Sequence, residues 1–215
     1  MFCLLIGLYW LPIAAQAIEL PKRQQVLEQA RGLLDRWSIS YVMGGHKIGD
    51  VAACQACNLC LGSQRPSASE RLQVCSSCDR CSLDCSHFTY EVFKLAGLSA
   101  NYLTTSLMNN LDSDSLMRNY QLVDVGSSSR RALPGDLLVF AGHVVLLEKK
   151  HDSNLDNILH VTSGRDLRGP GLGIQRERQV VLDSFRGKLL RVLRHNDLVR
   201  ELRDLSLTRT QPAAN

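Results

Sequence analysis

The sequence predicts an α+β domain, and three observations carry that expectation. Apolar residues recur at helical spacing in the first half of the chain. Short β-branched or leucine-rich runs, separated by turn residues, fill the second half. The helical segments precede the strands and do not alternate with them, which favours helices packed on an antiparallel sheet over a parallel one.

The elements follow in order. Pro21 suits a first helical turn, and Val26, Leu27, Ala30, Leu33, Leu34 and Trp37 then draw one apolar stripe at three- and four-residue steps. Tyr41-Val42-Met43-Gly44-Gly45 is a short segment ending in a glycine pair, where backbone approaches something closely. A second helix starts at Cys85, carries Phe88, Val92, Phe93, Leu95 and Ala96, and stops at Gly97. Asn109 to Arg131 is polar and carries no clear periodicity. Strands are expected at Leu137–Phe140, His143–Glu148 and Ile158–Thr162. A Gly- and Arg-rich loop runs through Gly173, and further strands are expected at Val180–Leu182 and Leu189–Leu193.

Composition narrows the class. The 215 residues are 45% hydrophobic and 21% charged, enough apolar material for one sizeable core. The net charge of +4 is spread over small clusters such as Arg130-Arg131 and Lys149-Lys150. That is far from the concentrated basic stripe of a nucleic-acid binder, so no nucleic-acid partner is expected.

Met1 to Ala17 is uncharged, holds an apolar run from Phe2 to Leu11, and ends in Ala15-Gln16-Ala17. This is the pattern of a signal peptide with a small-x-small cleavage site. The expected domain plan is therefore a signal peptide at 1–17, one folded domain at 18–207 and a disordered tail at 208–215. Cys3 lies inside the apolar run and not after a lipidation site. No second long apolar run follows, so the processed protein is not expected to be an integral membrane protein. A periplasmic or secreted location follows.

One cysteine stands apart from the rest. A thiol attacks as thiolate, and a helix N-terminus favours that negative charge. Cys85 sits at a helix start, between Asp84 and Ser86. A general base must reach it from elsewhere in the fold, and His143 opens a strand just after Gly142. A third polar group usually fixes the tautomer of such a base. His160, on the next strand, is spaced to lie beside His143 in an antiparallel pair.

These pieces resemble the NlpC-type cell-wall peptidases. The resemblance rests on Tyr41-Val42-Met43-Gly44-Gly45, Asp84-Cys85-Ser86-His87-Phe88, Leu133-Pro134-Gly135-Asp136-Leu137 with Gly142-His143-Val144, and Leu159-His160-Val161, in that order from Tyr41 to Ser163. It implies a compact papain-like cysteine peptidase fold. It also implies that Cys85 is the nucleophile, His143 the base and His160 its orienting partner, with Tyr41, Asp84 and Ser86 at the substrate groove. The implied reaction is hydrolysis of an amide bond in peptidoglycan stem peptides, at a D-glutamyl to diamino-acid link. No metal and no cofactor is called for. The position after Asp-Cys-Ser is commonly Gly in that family and is His87 here. His87 is expected to point outward, the alternative being that it lines the cleft.

The larger departure is an insert at 51–81, rich in Cys, Ser, Gln and Asn, where the family has a short link. It carries Cys54, Cys57 and Cys60, then Cys75, Cys78 and Cys81, each triplet at three-residue steps. Three readings stay open. Disulfides are the default in an exported protein. Cys54, Cys57, Cys75 and Cys78 also have zinc-ribbon spacing. Cys75, Cys78, Cys81 and Cys85 match an iron–sulfur run, although that assignment consumes the nucleophile. Two other functional classes therefore stand beside the peptidase: a non-catalytic cell-wall-binding protein on the same scaffold, and a metal-binding or redox module centred on the insert.

Overall fold

A computed structural model describes residues 21–36, 38–151, 155–162 and 173–209. The segment read as a signal peptide, Trp37 and residues 210–215 lie outside them, as does the Gly- and Arg-rich loop up to residue 172. The first half contains helix α1 (Lys22–Arg36), strands β1 (Ser40–Tyr41) and β2 (His46–Lys47), helices α2 (Val51–Gln64) and α3 (Arg71–Val74), and strand β3 (Ser82–Leu83). Helices α4 (Cys85–Leu95), α5 (Thr105–Asn110) and α6 (Ser113–Tyr120) follow. The second half contains β4 (Leu122–Gly126), β5 (Leu137–Phe140), β6 (His143–Lys149), β7 (Asp156–Val161), β8 (Ile174–Val180), β9 (Arg191–His195) and helix α7 (Asn196–Arg209). The architecture is α+β. Six strands form one sheet in the order β4-β9-β5-β6-β7-β8, antiparallel throughout, and β1, β3 and β2 form a small second sheet.

The sheet is covered on both faces, so its central strands are apolar at nearly every position. Val139, Val144, Leu146, Leu159 and Val161 face α1 and α4, packing with Val26, Ala30, Phe88 and Val92. Leu138, Phe140, Val145, Leu147 and Ile158 point the other way and pack with Leu182, Leu189 and Phe185. This alternation is the two-residue period of a strand. Phe88 is fully buried where α4 lies on the sheet, and truncating it to Ala would cost about 3–5 kcal/mol.

Helix α4 begins and ends as its residues dictate. Asp84 is extended and accepts a hydrogen bond from His87 N at 2.8 Å, an N-cap. At the other end Gly97 adopts φ +70°, with Gly97 N donating to Lys94 O and Leu98 N to Phe93 O. That pair of bonds is a Schellman stop. Asp136 of the Leu133-Pro134-Gly135-Asp136 turn is fully buried and takes two hydrogen bonds from Arg194, at 2.9 and 2.7 Å, tying β5 to β9. The turn motif thus serves the fold and not the site.

The cysteine insert is helical, which its composition did not foretell. Cys54, Cys57 and Cys60 lie along α2 and pair with Cys81, Cys78 and Cys75 respectively. Three-residue steps advance about 4.5 Å along an α-helix and keep the thiols near one stripe. The second triplet runs through a 3-10 turn at Ser76–Asp79, where residues three apart eclipse. The two rows run in opposite directions, so the bridges are nested rungs. Every cysteine of the insert is therefore in a disulfide, which answers the zinc and cluster readings of these residues. Closing the inner 15-residue loop is worth about 3 kcal/mol by chain entropy. Each outer rung encloses few additional residues and adds less. The expected strands at Leu137, His143 and Ile158 hold, the one at Leu189–Leu193 lies two residues later, at Arg191–His195, and the one at Val180–Leu182 lies earlier, at Ile174–Val180. The helices-first order is broken by the short strands β1 to β3 and by α7 after the sheet. The stretch from Asn109 to Arg131, where no periodicity was evident, holds the end of α5, all of α6 and β4, and a 3-10 turn at Ser129–Arg131.

Candidate active site

Cys85 is the first residue of α4 and the one free cysteine among the described residues. Its position is fixed from below. A Cβ on Gly45 would lie 2.8 Å from Ser82 C and 3.0 Å from Leu83 N, so only glycine lets β3 pass this close. Asp84 N then donates to Gly45 O at 2.9 Å. The close approach expected at the glycine pair is thus to the backbone that leads into Cys85. Tyr41 pairs with Leu83 across β1 and β3, and burial, then its neighbours Cys85 and Asp84, push its hydroxyl up. Arg71, from the insert, donates to Tyr41 O at 2.8 Å with its guanidinium 6.0 Å from the Tyr41 ring centre. The insert therefore buttresses the tyrosine beside the thiol.

Cys85 is 8% exposed. Its sulfur lies 3.6 Å from Thr105 Oγ1, and the backbone N–H groups of Val144 and Ser86 also act on it. Burial pushes the thiol up from its ordinary range, and these hydrogen bonds do not offset it. A helix N-terminus alone predicts the opposite direction; desolvation of the sulfur outweighs it here.

His143 and His160 meet as expected from their spacing. His143 Nε2 lies 2.9 Å from His160 Nδ1, and His160 Nε2 lies 2.9 Å from Glu177 Oε1 on β8. The roles in this chain are fixed from its outer end. A carboxylate only accepts, so His160 Nε2–H donates to Glu177 and His160 Nδ1 keeps a lone pair. His143 Nε2–H must donate to that lone pair. His143 Nδ1 is then left with a free lone pair, the form a general base needs. Burial, then the nearby Arg186 charge, lowers both imidazoles to about 3, with the His160 ring a further cause for His143. Both rings are neutral at pH 7, as is the thiol.

The two halves meet at the start of β6. Alternation along that strand puts His143 on the side of Val145 and Leu147, and the His160 ring stands edge-on to Phe185, 5.5 Å between centres, on that same side. Cys85 belongs with Val144 and Leu146 on the α4 side. The contact between them runs through Val144 N–H, the residue next to His143; the sulfur's side-chain hydrogen bond goes to Thr105 and not to the imidazole. His143 is 6% exposed, so the pair is covered and not laid open along a groove. An open cleft of about 580 Å³, lined by Arg31, Glu148, Lys149 and Arg178 among others, lies near the other end of β6. Five residues at about 3.4 Å each separate it from His143, roughly 17 Å.

Asp84 and Ser86 are engaged in local structure. Ser86 Oγ donates to Asp84 Oδ1 at 2.9 Å and lies 3.1 Å from Tyr102 Oη. Burial favours the neutral form of Asp84, but hydrogen bonds from His87 and Ser86 win and hold its carboxyl below the usual range. His87 does not point outward. Its side chain is 16% exposed, stacks on Tyr102 with ring centres 3.8 Å apart, and places Nδ1 3.1 Å from Asp84 Oδ2. A polar cap below it and an aromatic face beside it make the inward position favourable.

Thr105, Glu177, Tyr102 and Arg186 escaped the sequence reading. Glu177 sits in a run of alternating charges that looks like an exposed edge, and Thr105 lies between Gly97 and Asn109, where no element was expected. Among the described residues no group of three or more His, Cys, Asp or Glu is placed to hold a metal ion, and no helix is long and apolar enough to cross a membrane. Compared with protein-family models, with curated proteins and with solved structures, the chain matches none.

Proposed function

We propose that this chain is an exported cysteine peptidase of papain-like, NlpC-like design that hydrolyses an amide bond in peptidoglycan stem peptides. The observation that carries the reading is the hydrogen-bond chain Glu177–His160–His143, which leaves a free lone pair on His143 Nδ1 one residue from the N–H that meets the Cys85 thiol. Three disulfides support an oxidising compartment, periplasmic or extracellular.

In this mechanism the sulfur leaves Thr105 and gives its proton to His143 Nδ1. Catalytic hydrogen bonds often tighten when substrate arrives. Thiolate attack on the scissile carbonyl gives a tetrahedral oxyanion, held by the Cys85 N–H, which as the first residue of α4 has no intrahelical acceptor. The imidazolium returns its proton to the leaving amine, and water releases the acyl group from Cys85. His160 and Glu177 hold His143 in register. Tyr41 lines the approach.

The test is a digest of purified stem peptides followed by mass spectrometry. Wild type should release two fragments, and Cys85→Ala and His143→Ala should release none while retaining the native circular dichroism spectrum. Full cleavage by either variant would refute the assignment.

A second reading is a cell-wall-binding protein on the same scaffold without catalysis. The covered, neutral thiol favours it. Retention of intact stem peptide on wild-type protein, without cleavage and without loss of affinity in Cys85→Ala, selects that reading.

A further inference from the structure

Arg186 is a cation without a carboxylate partner among the described residues. Its Nη2 donates to Thr162 Oγ1 at 2.7 Å, its guanidinium lies 5.7 Å from the Phe185 ring centre, and its Nε is buried with no hydrogen-bond partner. An unmade hydrogen bond on a buried charged group leaves its desolvation uncompensated. The carboxylate on this side of the imidazole pair, Glu177, is taken by His160. The Phe185 ring stands edge-on to the His160 ring as well as near the guanidinium, so Arg186 is held in the neighbourhood of the pair. Its field reaches His143, His160 and Tyr41 together.

That placement is unfavourable for the resting enzyme twice over. A donor goes unused, and a positive charge opposes the imidazolium that the reaction must form. One kind of ligand relieves both. An anion accepting from Nε and an Nη makes the fork-shaped pair that guanidinium forms with carboxylates, and it cancels the charge that acts against His143.

We propose that Arg186 is the docking cation for a free carboxylate of the peptide substrate, carried beside the bond that is cut. The inference rests on the peptidase reading for its chemistry and deepens it. A γ-linked glutamyl residue is an acyl donor of this type, since its α-carboxylate stays free next to the scissile amide. Its docking both positions the carbonyl and lets His143 accept the thiol proton. Substrates in which that carboxylate is amidated lose both effects.

Two synthetic stem peptides that differ only in a free or an amidated glutamyl α-carboxylate make the test. Binding is measured by calorimetry on full-length Cys85→Ala, and hydrolysis on the active chain. The free-acid peptide should bind at least tenfold more tightly and be cut at least tenfold faster. Adding Arg186→Met, which keeps the stem over Phe185, should abolish the binding preference, and Arg186→Lys should restore part of it. Circular dichroism and melting temperature check that each variant is folded. Equal binding of the two peptides, or a preference that survives Arg186→Met, overturns the inference. A binding preference that depends on Arg186, with no hydrolysis of either peptide by wild type, upholds the carboxylate site and removes the peptidase reading instead.

Discussion

Replacing Glu177 with Leu tests the outermost link of the hydrogen-bond chain. The carboxylate accepts from His160 Nε2 at 2.9 Å and so fixes which nitrogens of both rings carry protons. Hydrogen bonds to charged groups contribute about 1.5–3 kcal/mol. Glu177 is 39% exposed, which argues for the lower end. Losing about 1.4 kcal/mol of preference changes the tautomer ratio by roughly tenfold. The fraction of molecules with a free lone pair on His143 Nδ1 then falls by up to that factor, and kcat/KM with it, while KM changes little. Glu177→Gln keeps an acceptor oxygen and should retain most of the activity. The assay pairs steady-state hydrolysis with nitrogen-15 shifts of the imidazoles, which report the tautomer directly. Unchanged tautomers and unchanged kcat/KM in Glu177→Leu would refute the reasoning.

Other expected outcomes concern the thiol, the fold and pH. Thr105→Val removes a hydrogen bond that favours the thiolate, so Cys85 should react more slowly with iodoacetamide at pH 7. Asp136→Ala strands the buried Arg194 guanidinium and should cost about 3–5 kcal/mol in urea unfolding. Both buried imidazoles hold folded-state values near 3, below the unfolded value near 6.5. The unfolded chain therefore takes up protons first. Stability is fully present above pH 6.5 and falls as the pH drops toward 3, by at most about 1.4 kcal/mol per pH unit for each ring. Acid titration of melting temperature checks this, and His143→Phe should flatten the slope.

Legibility in the sequence followed periodicity and local chemistry. The apolar stripe of α1, the start of α4 at Cys85 and its stop at Gly97 were plain, because each depends on residues within a turn or two. The pairing of His143 with His160 was legible from strand spacing alone. The disulfide partners were not, since equal triplet spacing suits bridges and metal alike until the opposed directions of α2 and the 3-10 turn are known. His87 was misplaced because its stacking partner, Tyr102, is remote in sequence and has no periodic signature. Glu177 and Arg186 were hidden for the same reason. Their meaning comes from what stands across the sheet, and a charged residue in a charged run reads as solvated surface. The direction of the Cys85 shift was also beyond the sequence, because it is a contest between helix terminus and burial, and burial is a tertiary property.

The central claim is that His143 takes the proton of Cys85, and the rate of thiol alkylation against pH measures it most directly. Wild type and His143→Ala, both folded, are titrated with iodoacetamide and the labelled residue is read by mass spectrometry. The account predicts that removing the imidazole slows labelling of Cys85 near neutral pH and shifts the midpoint upward. Superimposable profiles would mean that ring and sulfur do not communicate.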